Sequence, residues 1–209
     1  MTTIATFPVK IFKAMMPALK HPDPSLSRQI LSGVHIFSRD GVLIFEATNS
    51  HITIRVNTFI LNSDLDIVIP IDEVKAVIKA LSTKDGVSLS FNSVYSLSHA
   101  LNPNVYAEAF EPLTVNNDVS YTSAVTSVLD TFLVEDKHYG EDAKALWGFD
   151  LSYLALLSTS LKALDKDQTA SFSYPLAPSH PTRLYSPISD DDLDKWQALI
   201  MPVQVDRIR

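Results

Sequence analysis

Most lysines of this chain fall at helical spacing within or beside three amphipathic segments. They are Lys10, Lys13, Lys20, Lys75, Lys79, Lys162 and Lys166. Ammonium groups gathered on one side of a helix can bind the phosphates of a nucleic acid without reading its bases. The competing interpretation is that these lysines only form the solvated faces of their helices.

Groups suited to catalysis are sparse. The run Asp190, Asp191, Asp192 and Asp194 could bind magnesium, but no partner cluster accompanies it, which favours a solvated acidic loop. His138, Glu141 and Asp142 are close in sequence, a weak indication of a hydrolase. The chain contains no Gly-x-Gly-x-x-Gly, Gly-Lys-Ser/Thr or His-Glu-x-x-His motif. We therefore expect no catalysis, no metal site and no cofactor.

The composition is that of an ordinary globular protein. The 209 residues carry a net charge of −7, are 46% apolar and 20% charged, and include no cysteine. No apolar run approaches the roughly 20 residues that span a bilayer, and the start of the chain has no secretory signal. We therefore expect a cytoplasmic protein without membrane contact. The absence of cysteine excludes disulfides and thiolate zinc sites.

A short strand, an amphipathic helix and a meander of three strands occur twice in the first half of the chain. The first copy, residues 4–58, has a predicted helix at 8–20 and strands at 33–38, 42–47 and 51–58. Asp40-Gly41 predicts a hairpin between the first two strands, and Ile52, Ile54 and Val56 alternate toward one face of the third. Pro17 either kinks this helix or ends it near Met16. The second copy, residues 66–110, has a strand at 65–69, a helix at 71–82 capped by Asp72, and strands at 87–91, 94–98 and 104–109. Together they predict a first domain at 1–110.

A third, partial copy follows and predicts a second, shortened domain at 111–209. The segment 111–146 offers only one helix, at 120–133, and it carries no lysine. After it come a strand at 146–150, a leucine-rich helix capped by Asp150 or Ser152 and ending near Leu164, and strands at 170–174, 182–186 and 196–203.

Four motifs in this order resemble the bacterial sliding clamp, the beta subunit of DNA polymerase III. They are Arg28-Gln29-Ile30-Leu31-Ser32-Gly33-Val34, Glu46-Ala47-Thr48-Asn49-Ser50-His51, Gly148-Phe149-Asp150-Leu151-Ser152-Tyr153-Leu154 and Ile200-Met201-Pro202-Val203-Gln204. The chain departs from the family in having room for two domains rather than three. It also has Asn49-Ser50 where Asp-Gly is usual, and Ile52 and Gln204 where arginines are usual.

The resemblance implies an α+β clamp fold, with antiparallel sheets outside a ring and helices lining its hole. It implies a processivity factor that encircles duplex DNA and tethers a replicative polymerase. Its DNA contacts would come from the seven lysines named above together with Arg28. Its pocket for short peptides of the polymerase and the clamp loader would be formed by Thr48, His51, Ile200, Met201, Pro202 and Val203.

A six-domain ring built from two-domain chains needs three copies, so the resemblance implies a head-to-tail homotrimer. A short, divergent clamp would suit a phage or another mobile element.

The alternative is a clamp-like decoy that keeps the peptide pocket without encircling DNA, which the shortened segment 111–146 favours. A structural protein without DNA contact, and a hydrolase that depends on Asp191, are the other two hypotheses.

Overall fold

Two antiparallel sheets and a layer of helices make up the fold. The structure is a computed structural model that describes residues 2–19, 31–60, 64–113, 126–133, 150–164, 170–173, 180–186 and 195–201. Within those residues, no helix is long and apolar enough to cross a membrane.

The order of elements follows the predicted repeat. The strands are β1 (Thr2–Pro8), β2 (Gly33–Arg39), β3 (Val42–Thr48), β4 (Ile52–Ile60), β5 (Asp66–Pro70), β6 (Gly86–Asn92), β7 (Val94–His99), β8 (Ala107–Phe110), β9 (Ser171–Ser173), β10 (Thr182–Tyr185) and β11 (Lys195–Ile200). The helices are α1 (Val9–Met15), α2 (Ile71–Ala80), α3 (Ser127–Leu133) and α4 (Leu151–Leu164). A short 3-10 helix, Met16–Leu19, follows α1, so Pro17 lies just beyond the end of the first helix.

The two copies in the first half exchange their first strands. The smaller sheet has the order β1-β6-β7-β8, and the larger sheet has the order β5-β2-β3-β4-β11-β10-β9. Strand β1 therefore joins the meander of the second copy, while β5 joins the meander of the first. Because β11 pairs with β4, the larger sheet contains strands from both sides of residue 110. The domain boundary at that residue stays a prediction.

Turn chemistry and one close approach fix the strand register. Asp40 and Gly41 both have positive φ, 51° and 78°, which is the hairpin geometry that an Asp-Gly pair favours. Ser50, in the turn between β3 and β4, and Ser93, in the turn between β6 and β7, also have positive φ, 75° and 66°. Gly33 lies against Ile69 so closely that a Cβ at this position would overlap the Ile69 carbonyl oxygen. The glycine of the first motif is therefore required by the β2–β5 contact.

The main core lies between the inner faces of the sheets and the helices. Phe7, Phe12 and Phe45 meet there edge to face, with ring centroids 4.8 to 6.5 Å apart. Along β4, Ile54 is fully buried in this core, while its neighbour Arg55 points to the opposite, outer face of the sheet. The period-two pattern that predicted the strand therefore also predicts which side faces the helices.

The outer face of the larger sheet carries a buried polar network that sequence reasoning did not anticipate. Arg55 Nε donates to Glu46 Oε1 at 2.6 Å, and both side chains are buried. Helix α3 covers this pair, because Asp130 accepts from Arg55 Nη2 at 2.8 Å and from Arg39 Nη1 at 2.6 Å. The Thr126 hydroxyl also donates to Glu46 Oε2 at 2.7 Å. These contacts hold α3 on the outer face.

His35 extends the network toward the edge strand β5. Its Nε2 lies 2.7 Å from Asp66 Oδ1, and its Nδ1 lies 3.5 Å from Glu46 Oε2. Burial lowers the pKa of His35, but the hydrogen bonds and charges of Asp66 and Glu46 outweigh it, so the pKa is raised above its ordinary value.

Four sequence predictions need correction. Asp72 does not cap α2: Pro70 occupies the N-cap position, and the Asp72 carboxylate instead pairs with Lys75 Nζ at 3.2 Å. The last strand ends at Ile200 rather than continuing to 203, with residues 202 and 203 outside the described part. The strand expected at 104–109 begins only at Ala107.

The fourth correction concerns Asp150, the last residue of the strand predicted at 146–150. Asp150 lies in no strand and instead caps α4, since its Oδ1 accepts the Ser152 N–H at 2.8 Å. Residues 146–149 lie outside the described part, as do residues 120–125 of the helix predicted at 120–133.

Candidate peptide pocket and cationic helix layer

The β3–β4 turn and the end of β11 meet at one place. Ile200 pairs with Ile52, and the next N–H along the chain, that of Met201, donates to the His51 carbonyl at 2.8 Å. The structure therefore brings together Thr48, His51, Ile200 and Met201, four of the six residues assigned to the pocket by resemblance. The other two, Pro202 and Val203, lie outside the described residues.

Side-chain hydrogen bonds stabilise the β3–β4 turn. Asn49 Oδ1 accepts the N–H groups of both His51 and Ile52 at 3.0 Å. The Thr48 hydroxyl donates to the Ile52 carbonyl at 2.9 Å and accepts the Ser50 N–H at 3.2 Å. Thr48 is thus buried and fully engaged in shaping the turn. We therefore expect Thr48 to support the turn that holds His51 rather than to contact a bound peptide.

Among the described residues assigned to the candidate pocket, His51 and Met201 are exposed, whereas Thr48 and Ile200 are buried. The Met201 side chain is 38% exposed. A flexible thioether at the surface suits a site that accepts apolar side chains of varied shape. Ile200 can only form the floor beneath them.

Tyr153 belongs to this site, although it was absent from the residues assigned by resemblance. The His51 and Tyr153 rings stack at 4.9 Å between centroids with an interplanar angle of 13°. Tyr153 stands in the first turn of α4, where its N–H donates to the Asp150 carbonyl at 3.0 Å. Tyr153 lies in the motif Gly148–Leu154, so the sequence contained a pattern that could have assigned Tyr153 to the pocket.

Asp150 sets the start of α4 and adds a negative charge near the stacked rings. Hydrogen bonds from Ser152 lower the pKa of Asp150 below its ordinary value, and the nearby charge of His51 lowers it further. Leu151, the next residue, is 78% exposed. The described residues of the site therefore combine a stacked aromatic pair, exposed apolar side chains and the Asp150 carboxylate, an arrangement suited to binding a short peptide.

The helix layer forms the second candidate site. Helix α1 contacts both α2 and α4, so the three helices lie side by side. They carry Lys10, Lys13, Lys75, Lys79 and Lys162. Against these five lysines stand two acidic residues, Asp72 and Glu73, so the layer has a net charge of +3 in a chain whose net charge is −7. Lys20, Lys166 and Arg28 lie outside the described residues.

The residues considered for catalysis are not described. The 190–194 run and the group His138, Glu141 and Asp142 both fall outside the described ranges. Among the residues with described positions, no three His, Cys, Asp or Glu side chains form a group that could hold a metal ion.

Solved structures with similar folds are DNA polymerase III beta subunits. That of Streptococcus pneumoniae matches with a TM-score of 0.62 at 18% identity, covering 98% of this chain and 66% of its own. Those of Borrelia burgdorferi and Thermotoga maritima match with TM-scores of 0.60 and 0.59, both at 14% identity, covering 97% and 96% of this chain. No protein-family model and no curated protein sequence matches the chain.

The comparison establishes the fold. Almost the whole chain superposes on these structures, whereas it spans only 63% of the Borrelia subunit and 64% of the Thermotoga subunit. The predicted α+β clamp architecture is therefore confirmed, on a chain about two thirds as long.

Proposed function

We propose that this chain, which has the fold of the DNA polymerase III beta-subunit clamps, is a sliding clamp that holds a replicative polymerase on duplex DNA. The observation that carries the proposal is the cationic helix layer. Three adjacent helices present five lysines and two acidic groups, while the chain as a whole is acidic.

A cationic layer of this kind suits movement along DNA. Lysine ammonium groups attract phosphates at every position of a duplex and carry no base specificity, so such contacts allow sliding. Negative charge elsewhere on the protein discourages binding of DNA to other surfaces. We assign the DNA contacts to Lys10, Lys13, Lys75, Lys79 and Lys162, and we retain Lys20, Lys166 and Arg28 as candidates.

The pocket around His51 would connect the clamp to its partners. A short apolar peptide of a polymerase or clamp loader would lie on Met201 and against the His51–Tyr153 stack, with Ile200 below. Tethering by such a peptide raises the effective concentration of the polymerase at its template without any catalytic step by the clamp. In this proposal the chain is not an enzyme and needs no cofactor.

Copies that join head to tail would form a closed ring if the rotation between neighbouring copies closes. Three chains would supply six domains if the boundary at residue 110 divides the chain as predicted, and a homotrimer is the proposed assembly.

The alternative function is a decoy that binds clamp partners without encircling DNA. One observation favours it. Helix α3 packs on the outer face of the larger sheet through Asp130 and Thr126, so it contributes neither a lysine nor a surface to the helix layer. The second half of the chain then adds only α4 and Lys162 to that layer among the described residues.

Retention on circular DNA tests the proposal. The variant Lys13→Glu/Lys79→Glu reverses two exposed charges on adjacent helices, and we expect it to lose retention while the folded assembly persists. Lys84→Glu is the matched control, because Lys84 is exposed in the turn after α2 rather than in the helix layer. Linearising the DNA should release the wild-type protein.

The outcomes separate the hypotheses. Unchanged retention by the double variant would remove the helix layer from the DNA contact. A wild-type protein that never stays on circular DNA but binds a polymerase peptide would establish the decoy. A hydrolytic activity that requires a divalent metal and is lost in Asp191→Asn would instead support the hydrolase.

A further inference from the structure

A carboxylate stands at the rim of the candidate pocket. Asp150 directly precedes α4, and Tyr153, in the first turn of that helix, stacks its ring on that of His51 at 4.9 Å between centroids. The Asp150 carbonyl accepts the N–H groups of Tyr153 and Leu154 at 3.0 and 3.3 Å. The same turn of backbone therefore positions both the carboxylate and the stacked rings, so they belong to one site.

Asp150 is exposed, and it is ionised at neutral pH. Hydrogen bonds from Ser152 are the main reason that its pKa lies below the ordinary value, and the charge of His51 lowers that pKa further. One of these bonds joins the Ser152 N–H to Asp150 Oδ1 at 2.8 Å. Within the described ranges, Asp150 forms no ion pair with a lysine or an arginine. The described part of the pocket therefore presents a negative charge to a ligand.

The positive charges of α4 do not cancel this carboxylate. The N-terminus of a helix carries about half a unit of positive charge, which is less than the full negative charge of Asp150. Lys162 stands in the last turn of α4. At a rise of about 1.5 Å per residue it lies about 18 Å from Asp150 along the helix axis, roughly twice the Debye length at physiological salt. The beginning of α4 therefore keeps a negative charge.

Exposed apolar side chains accompany the carboxylate. Leu151, the next residue, is 78% exposed, and Met201, whose N–H donates to the His51 carbonyl, is 38% exposed. A peptide that covered these side chains would also remove water from Asp150, and this costs free energy unless an opposite charge replaces the water. A basic residue of the peptide would supply that charge, whereas an acidic residue would add repulsion.

We propose that the pocket selects partner peptides that carry a lysine or an arginine beside their apolar anchor, and that Asp150 determines this preference. The apolar side chain of the peptide lies on Met201 and against the His51–Tyr153 stack, while its basic side chain reaches the Asp150 carboxylate. The inference rests on the proposed function, since it concerns the same pocket, and it adds the charge of the partner segment. Apolar segments flanked by acidic residues are disfavoured at this site.

Selection from a display library of eight-residue peptides tests the preference without a chosen partner sequence. Among peptides captured by the wild type, lysine or arginine should be more frequent beside leucine, methionine or phenylalanine than in the unselected library. Asp150→Asn should capture peptides without this excess of basic residues. Asparagine caps a helix about as well as aspartate, so the variant removes the charge while α4 keeps its start, which circular dichroism checks.

Fluorescence anisotropy with the tightest selected peptide measures the effect. Replacing its basic residue by glutamine should weaken binding to the wild type about two- to fivefold, the range for an exposed ion pair, and glutamate should weaken it further. The differences should shrink as salt is added. Asp150→Asn should bind the basic and glutamine peptides equally. The matched control is Asp40→Asn, which should behave as the wild type does, because Asp40 is exposed in the turn at the opposite end of β3 and Asn-Gly also favours that hairpin.

The outcomes distinguish this inference from the proposed function. Selected peptides without an excess of basic residues, or equal binding of the basic and glutamine peptides by the wild type, would overturn the inference and leave the pocket in place. A preference that persists in Asp150→Asn would overturn the role of Asp150. A wild type that captures no peptide at all would overturn both the pocket and the inference, whereas retention on circular DNA would still report on the clamp function.

Discussion

Glu46 and Arg55 face each other directly across β3 and β4, and Arg55 Nε donates to Glu46 Oε1 at 2.6 Å beneath α3. The pair lies on a sheet face that is covered by Asp130 of α3 and by Thr126, the residue before α3. The charges are therefore satisfied only when three elements come together, the two strands and the helix. The network thus links the meander of the first half to the connecting segment of the second.

Removing Arg55 should destabilise the protein strongly. In Arg55→Leu, the buried Glu46 loses its guanidinium partner, and breaking a buried pair in this way typically costs about 3–5 kcal/mol. Urea unfolding measures the loss. Arg39→Leu is the matched control, because the Arg39 side chain is 40% exposed and its pair with Asp130 should contribute at most about 1 kcal/mol. Equal losses of unfolding free energy in Arg55→Leu and Arg39→Leu would contradict the larger contribution that we assign to the buried pair.

The stability of the protein should decrease as pH rises through the pKa of His35 in the folded state. Burial lowers that pKa, but the hydrogen bonds to Asp66 and Glu46 raise it more, so the folded value lies above the ordinary 6.5. Below its pKa in the unfolded state, His35 is protonated in both the folded and the unfolded protein, and its full contribution to the free energy of unfolding is present. Above the folded pKa it is neutral in both states and the contribution is gone.

Urea midpoints measured at a series of pH values from mildly acidic to alkaline test this expectation. His35→Gln should be less stable than the wild type at low pH, and its urea midpoint should change less with pH over the same range. A wild-type curve that rises with pH through that window would show that His35 is neutral in the folded protein.

A charge at Met201 should abolish peptide binding without unfolding the protein. Met201 is 38% exposed, so Met201→Asp places a carboxylate on the apolar surface beside His51 at little cost to the core. We expect a loss of at least about tenfold in affinity for a polymerase peptide, measured by fluorescence anisotropy. Val94→Asp, at a similarly exposed position on β7, should bind as the wild type does. Unchanged affinity in Met201→Asp would remove β11 from the pocket.

The salt dependence of DNA binding should report individual lysines. Each phosphate contact contributes about 0.9 to the slope of log affinity against log salt concentration. Lys13→Gln and Lys79→Gln should each lower the slope by about this amount, since both side chains are exposed on the helix layer. Lys84→Gln should leave the slope unchanged. Equal slopes in all four proteins would mean that the layer does not touch phosphates.

Local patterns in the sequence predicted most of the first half because its elements are defined by neighbouring residues. The Asp40-Gly41 hairpin and the alternation along β4 depend on nearby side chains, and both appear as expected. The capping role of Asp72 was wrong because Pro70, with its extended backbone, already occupies the N-cap position, which leaves the Asp72 carboxylate to pair with Lys75.

Contacts between distant segments could not be predicted in this way. Tyr153 joins the candidate pocket only because α4 begins beside the β3–β4 turn, about 100 residues away along the chain. The sequence shows Glu46 only as part of a motif and Arg55 only as part of a strand, because no local pattern indicates that α3 covers them. Both features arise from tertiary packing, which periodicity does not encode.

The pairing of β11 with β4 has a consequence for synthesis. The partners Lys195 and Asn57, and Ile200 and Ile52, are separated by 138 and 148 residues. During translation, the first-half strands can therefore assemble long before β11 emerges from the ribosome, and β4 is then an uncovered edge with free amide and carbonyl groups. Such an edge recruits strands from other chains. The nascent first half should therefore be the stage at which this protein is most prone to aggregate.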